Sequence, residues 1–484
     1  MFYLLSSLWL VRTTKAVLFW FYLWQLKEYH IGRLLDHFRT EKGKKLIVNE
    51  LNVSKIFLLI LFPFYPVLVF FLILFIYIFE SFKVALDILK RRLRRPVLTK
   101  KTVFLILMGL FTEGLIVFFV FSNINNIRLF AFWLLFFDVF LPVIASLIVL
   151  LFQPFTVLMR NRVIQKAKEK RKRFANLLVI GITGSFGKTS TKEFLADILS
   201  LKYKVLKTKE HQNSEVGISQ CILNDLKDEH EIFICEMGAY NKGGIKLLCD
   251  IAMPKIGILT GINEQHMATF GSQENIIKGK YELIESLPED GVAFFNAKNK
   301  YCLELYDKTN IKKFLYGQEA KFAGGENILG AVAVARELEV PEDEIFRFVE
   351  KVDKVPGVQI KKGINGLTVI DSTYSANPDG VMANLEYLKS FSGKKVIVMP
   401  CLIELGRASK EVHLRIGRKI GEVCDLAIIT TKDRLKEIKE GAGDKAVFIP
   451  DAKDIFKKIE SFCRGGDVIL LQSRVPKQLI NLLK

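Results

Sequence analysis

Acidic residues are scarce in the first third of the chain. Residues 1–175 hold 9 Asp and Glu against 26 Lys and Arg, a net of +17, while the remainder is nearly balanced at +2. A total of +19 suggests nucleic acid, but the excess borders long apolar runs. Membrane lipids with anionic headgroups are therefore the expected partner, and no nucleic acid is expected; solvated loops without lipid specificity are the plain alternative. The seven cysteines all lie at or beyond Cys221, and none forms a CxxC pair. This excludes a disulfide framework or zinc ribbon and suits a reducing cytoplasm. No cleavable signal peptide is expected, because Arg12 and Lys15 interrupt the first apolar stretch and no small-residue cleavage site follows. Neither an internal repeat nor a low-complexity tract is present.

The first third does have apolar runs, 56–79, 103–121 and 129–151, each about the length that crosses a hydrocarbon core of roughly 30 Å. Residues 2–26 are apolar too, and with Arg12 and Lys15 inside them read equally as a spanning helix or an interfacial one. Pro63 and Pro66 break the 56–79 run. Since basic segments precede and follow it, a single crossing would separate them and a re-entrant hairpin would keep them together. Glu113 and Asp138 fall inside the later runs, where an ionisable group is costly and is either functional or paired with a neighbouring helix. The basic stretch 160–173 follows the last run and places the rest of the chain in the cytoplasm.

From residue 177 the pattern changes to short β-branched runs, at 177–180, 231–235, 255–260, 292–295, 368–371, 395–399, 427–430 and 468–471, alternating with helical periodicity. That alternation predicts a parallel sheet covered on both faces. The predicted division is a transmembrane region over 1–159, a basic cytoplasmic linker over 160–175, a first α/β domain over 176–324 and a second α/β domain over 325–484, with the last boundary near Ala323–Gly325.

The strongest local signal is Gly181-Ile182-Thr183-Gly184-Ser185-Phe186-Gly187-Lys188-Thr189-Ser190-Thr191, between a strand and a helix. Glycines let backbone N–H groups face phosphate oxygens, Lys188 reaches the terminal phosphates, and Thr189 is placed to hold Mg²⁺. The GxxxxGK[ST] pattern wants glycine where Ile182 stands.

This loop resembles the Thr-Gly-x-x-Gly-Lys-Thr-Ser form of the Mur ligase family, and further stretches follow in the same order. They are Asn213-Ser214-Glu215-Val216-Gly217, Cys235-Glu236-Met237-Gly238-Ala239, His266 with Phe270-Gly271-Ser272, Lys280-Tyr281-Glu282, Asp371-Ser372-Thr373-Tyr374-Ser375-Ala376-Asn377-Pro378-Asp379, and Ile403-Glu404-Leu405-Gly406. The resemblance covers residues 177 to about 415. Beyond the helical membrane region read from the apolar runs, it implies a P-loop central domain and a Rossmann-like C-terminal domain. It also implies ATP and Mg²⁺ as cofactors, bound by residues 183–190. Thr189 would hold one metal, Glu236 and His266 a second, and Lys280 would be carbamylated. Asn327 would lie near the adenine and Asp371 would help hold the nucleotide.

The activity so implied is ATP-dependent amide-bond ligation through an acyl phosphate. The acceptor would be a UDP-linked or lipid-linked cell-envelope precursor, and the donor D-alanyl-D-alanine or a similar amino acid or peptide. Three departures stand against the pattern. The family's UDP-gripping N-terminal domain is replaced by the apolar region. Val358 and Ser372 replace an arginine and an aspartate that help hold ATP. The stretch between Asn296 and Gly325 is short, with Lys298-Asn299 where acids are usual. Those losses define the alternative, a membrane-anchored ATP-binding scaffold; an ATP-driven transporter is disfavoured by the small number of spans.

Overall fold

The computed structural model describes residues 1–209, 212–319, 325–351, 359–373 and 377–483. It divides into two units, 1–160 and 161–484. The first unit is helical: α1 (Phe2–Leu26), α2 (Ile31–Arg39), α3 (Glu41–Ile47), α4 (Glu50–Leu61), α5 (Pro66–Leu89), α6 (Lys100–Asn123) and the start of α7 (Ile127–Lys172). The proline pair splits the 56–79 run: α4 ends at Leu61, and Pro66, which needs no N–H partner, opens α5. At one end of the unit Phe2 packs edge-on against Phe130, centroids 4.9 Å apart. At the other, Gln25 clasps the backbone of Val97, donating to its carbonyl at 3.0 Å and accepting from its N–H at 2.7 Å. Leu34, Phe38 and Leu46 join the core around Trp20 and Trp24 near that second end. The basic flanks of the α4–α5 pair thus share one end, the hairpin arrangement of the two expected.

Four ionisable residues inside the apolar helices form one buried cluster. The Arg12 guanidinium lies 3.2 Å from Glu80 and 2.9 Å from Asp138, and the Lys55 ammonium lies 2.5 Å from Glu80 and 2.6 Å from Asp138. Two positive and two negative charges therefore join α1, α4, α5 and α7. Lys15 meets Asp87 at 2.6 Å, and Thr14 donates to Glu113 at 3.0 Å. Each charge interrupting α1 has a partner on another helix, so α1 is a member of the bundle.

The second unit contains two doubly wound layers. The first comprises β1 (Leu178–Thr183), α8 (Lys188–Leu199), β2 (Val205–Lys207), α9 (Glu215–Asn224), β3 (Ile232–Glu236), α10 (Gly244–Ala252) and β4 (Ile256–Leu259). It continues with α11 (Met267–Phe270), α12 (Gln273–Glu285), β5 (Val292–Asn296), α13 (Lys300–Lys308), β6 (Lys312–Tyr316), α14 (Gly325–Glu337) and α15 (Glu342–Lys351). The strand order is β2-β3-β1-β4-β5-β6, all parallel. The second comprises β7 (Gln359–Lys362), β8 (Thr368–Ser372), α16 (Pro378–Leu388), β9 (Lys395–Met399), α17 (Ser409–Val423) and β10 (Leu426–Ile429). It ends with α18 (Leu435–Ala442), β11 (Ala446–Phe448), α19 (Ala452–Phe462), β12 (Val468–Gln472) and α20 (Lys477–Leu482). Its order is β11-β10-β9-β12-β8-β7, with β7 antiparallel at the edge.

Two boundaries differ from the sequence reading. Helices α14 and α15 belong to the first layer: Ile328, Ala331, Val334 and Ile345 pack with Phe194, Ile198 and Ile234. The division near 323–325 thus moves beyond α15; Ala323 itself lies outside the described residues. The stretch 160–172, expected to belong to a basic cytoplasmic linker, is the end of α7. Ile164 and Ala167 enter the core beside β1 and β3, and Arg171 donates to the carbonyls of Ala252, Phe174 and Leu177.

Removing one partner from a buried ion network leaves an uncompensated charge, at a cost of roughly 3–5 kcal/mol. Lys55→Met is expected to lower the Tm of the detergent-solubilised protein, and Lys55→Met with Asp138→Asn to recover part of the loss.

Candidate active site

The loop 184–187 sits where the strand order reverses, between β1 and its neighbours β3 and β4, the usual ligand crevice of an open α/β sheet. Two glycines there leave no room for a side chain. A Cβ on Gly184 (φ +153°) would lie 2.2 Å from Thr260 Oγ1, and one on Gly187 (φ +79°) would lie 2.3 Å from Asn327 Oδ1. Gly187 caps α8 in the left-handed conformation, so the free N–H groups of the helix start face the loop. Thr183 donates to Met237 O at 2.9 Å, Ser185 N donates to Gly261 O at 2.7 Å, and the Phe186 ring lies against Gly261. Ser190 lies in the first turn of α8. Lys188 Nζ donates to Gly184 O at 2.8 Å, folded back over the loop. Burial pushes this ammonium below its usual range, and Glu236 opposes the shift.

Glu236 ends β3 beside the loop, and its carboxylate is held on both oxygens. Asn213 Nδ2 donates to Oε1 at 3.0 Å; Thr189 Oγ1 donates to Oε2 at 3.0 Å, and Lys192 Nζ forms an ion pair with the same oxygen at 3.4 Å. The Thr189 hydroxyl and the Glu236 carboxylate are each the kind of oxygen donor that Mg²⁺ prefers. His266 precedes α11 in a left-handed conformation, with Nδ1 3.0 Å from Glu404 Oε2 and the Tyr240 ring edge-on at 4.8 Å. Burial lowers its pKa from the usual imidazole range, and Glu404 opposes the shift. Among the described residues Nε2 has no hydrogen-bond partner, which fits a metal ligand.

Lys280 is buried on α12, 3.5 Å from Ala239 O. Burial, with repulsion from Lys188, pushes its pKa down to about 7. An uncharged amine is the form that attacks CO2, so the site suits carbamylation.

The other expected residues make contacts of their own. Asn327 touches Gly187 and, at 3.4 Å, Thr191 Oγ1, so it braces the phosphate loop. Asp371 binds Lys361 at 3.1 Å and Thr373 at 2.8 Å, all within its own layer. Ser372 is buried and accepts from Asn384 Nδ2 at 2.7 Å, which also donates to Gln472. Pro356, Gly357, Val358 and 374–376 lie outside the described residues. The sequence reading missed Lys192, whose signal was its place one helical turn after Lys188 on the same face of α8. It also assigned no role to Asn263, which donates to Asp379 at 3.0 Å, or to Glu264, which pairs with Arg415 at 3.2 Å. These contacts join the two layers.

Residues 182–346 match the family model described as the Mur ligase middle domain, and residues 358–475 match the Mur ligase glutamate ligase domain. The chain is 28% identical over 344 residues to the UDP-N-acetylmuramoyl-tripeptide--D-alanyl-D-alanine ligase of Bacillus subtilis (strain 168), covering 63% of this chain and 75% of that protein. The ligase of the same name from Treponema pallidum is 30% identical over 274 residues, covering 51% of this chain and 59% of that one. Among solved structures, MurF ligase from Thermotoga maritima in complex with ADP is 28% identical with a TM-score of 0.58, covering 67% of this chain and 83% of that one.

With a folded-state pKa of about 7 against about 10.4 unfolded, the unfolded chain binds the Lys280 proton more readily. The penalty is full below about pH 7 and disappears as pH rises to the unfolded value. Lys280→Met is therefore expected to raise Tm at pH 7, with the gain over wild type shrinking to nothing towards pH 10.5 in matched thermal melts.

Proposed function

We propose that this chain, a member of the Mur ligase family through its middle and C-terminal domains, is an ATP-dependent, ADP-forming ligase acting on a peptidoglycan precursor. The observation that carries the reading is the phosphate loop with Lys188 folded over it and Thr189 hydrogen-bonded to Glu236. The reaction assigned is addition of D-alanyl-D-alanine, the dipeptide named in the Bacillus and Treponema relatives.

A carboxylate accepts an amine only after its oxygen becomes a good leaving group. The acceptor carboxylate therefore attacks the γ-phosphorus of ATP, forming an acyl phosphate and releasing ADP. The donor amine then attacks the acyl carbon, and the C–O bond to phosphate breaks. The loop N–H groups and Lys188 hold the phosphates and offset their charge as they meet the carboxylate. Mg²⁺, held by Thr189 and by Glu236 with His266, supplies Lewis-acid polarisation when bound. Lys192 and Asn213 fix the Glu236 carboxylate. Lys280, on reacting as the neutral amine with CO2, would form an N–C bond and lose a proton, turning a cationic position into an anionic one that would help balance the charge of a metal held by Glu236 and His266.

Four helices, Phe2–Leu26, Pro66–Leu89, Lys100–Asn123 and Ile127–Lys172, are long and apolar enough to cross a membrane. They support a multi-pass anchor in the cytoplasmic membrane, and the basic end of the helical unit supports a cytoplasmic position for the catalytic half. The scaffold reading rests on Ser372, whose hydroxyl is used within its own core.

The test is ADP release by the detergent-purified protein given D-alanyl-D-alanine and either a UDP-linked or a lipid-linked muropeptide, with products weighed by mass spectrometry. Acceptor-dependent ADP and a matching mass gain are expected, and Lys188→Ala should reduce turnover on the order of 10²–10³-fold or more. ATP binding without turnover on either acceptor would instead favour the scaffold.

A further inference from the structure

His266 and Glu404 come from different layers. His266 lies between β4 and α11 of the first, and Glu404 lies in the loop after β9 of the second. Their contact is doubly fixed. The imidazole Nδ1 is 3.0 Å from the Glu404 carboxylate, and the Glu404 carbonyl accepts from Ala268 N at 3.2 Å. Both residues are left-handed, at φ +66° and +65°, a conformation that ordinary side chains adopt only when their surroundings impose it. Gly406 makes the approach possible, since a Cβ there would meet Ala268 N at 3.1 Å. The Tyr240 ring, edge-on at 4.8 Å, limits rotation of the imidazole.

A carboxylate only accepts hydrogen bonds, so Nδ1 must carry the proton and Nε2 keeps its lone pair. We propose that Glu404 is a positioning residue through which docking of the C-terminal domain selects the Nδ1–H form of His266 and aims Nε2 at a divalent cation. The cation site on the middle domain is then completed by a residue of the other domain. Cation affinity and domain closure are therefore linked, and the linkage is reciprocal: a cation on Nε2 favours the docked domain by the same factor by which docking favours the cation. The neighbouring contacts Asn263–Asp379 and Glu264–Arg415 place closure along the very segment that carries His266. This proposal rests on the reading of His266 as a metal ligand given above.

The test counts Mn²⁺ bound to the full chain in detergent, with a non-hydrolysable ATP analogue, by electron paramagnetic resonance titration. Wild type is expected to bind two ions. Glu404→Ala should weaken the second by about 10- to 100-fold while leaving the first unchanged. Glu404→Gln, which keeps an acceptor oxygen, should stay within a few-fold of wild type. A normal second ion in Glu404→Ala, or equal losses in the Ala and Gln variants, would overturn the proposal. His266→Ala separates the two failures: an unchanged second ion in that variant refutes the ligand assignment, whereas a loss there with none in Glu404→Ala refutes only the positioning role. Unaltered first-site affinity in each variant reports that the domain is folded.

Discussion

The turn from β1 into α8 admits no side chain at two of its four positions, and the surroundings of the site are built against that bare backbone. Thr260, following β4, fills the space a Cβ on Gly184 would take, and Asn327, from α14, fills the space beside Gly187. The loop is therefore clamped from a neighbouring strand and from a helix more than a hundred residues away. This explains why α14 must pack on the first layer. A phosphate cradle made of N–H groups works only if those groups are fixed before the phosphates arrive, since ordering them at binding would cost conformational entropy.

The same economy of paired polar groups governs both units. In the helical unit, Arg12 and Lys55 are matched against Glu80 and Asp138 with side chains almost excluded from solvent, which apolar surroundings tolerate only in neutral combinations. In the catalytic unit, Glu236 is held by an amide, a hydroxyl and an ammonium. The difference lies in what remains open. The four-charge cluster is internally neutral, whereas at the phosphate loop Lys188 reaches, among the described residues, only backbone carbonyls. The first arrangement joins helices, and the second leaves charge facing the crevice for a ligand.

How much of this was legible depends on where the hydrophobic signal is dense. All eight strands expected from β-branched runs are present, and they are the interior strands of the two sheets. The four that were not expected, β2, β6, β7 and β11, are the four edges. Edge strands are short and half solvated, and β2 and β11 span only three residues each, so periodicity has little to report. The phosphate loop and its succession of motifs were legible because their chemistry is local. The role of Asn327 was not, since its contact with Gly187 arises only once α14 folds back on α8. Nor was the end of the first domain, because an alanine-rich helix such as α14 carries no mark of the layer it serves.

Ser372 illustrates how a departure from a family pattern acquires a physical meaning. An aspartate there would place a carboxylate in a buried position beside Gln472 on the neighbouring strand β12, where Asn384 now satisfies both the hydroxyl and the amide oxygen. The serine closes a neutral network, and an added charge would need a counter-ion that this network lacks. The adjacent Asp371 keeps its acid and is paired with Lys361 on the edge strand β7. The carboxylate at this point of the second layer is thus a single, lysine-balanced one, where the family pattern has two. The other acids of this layer are used differently: Asp379 and Glu404, with Arg415, dock the layer onto residues 263–268, so position 372 stays neutral inside the layer while its charged groups serve the contact between layers.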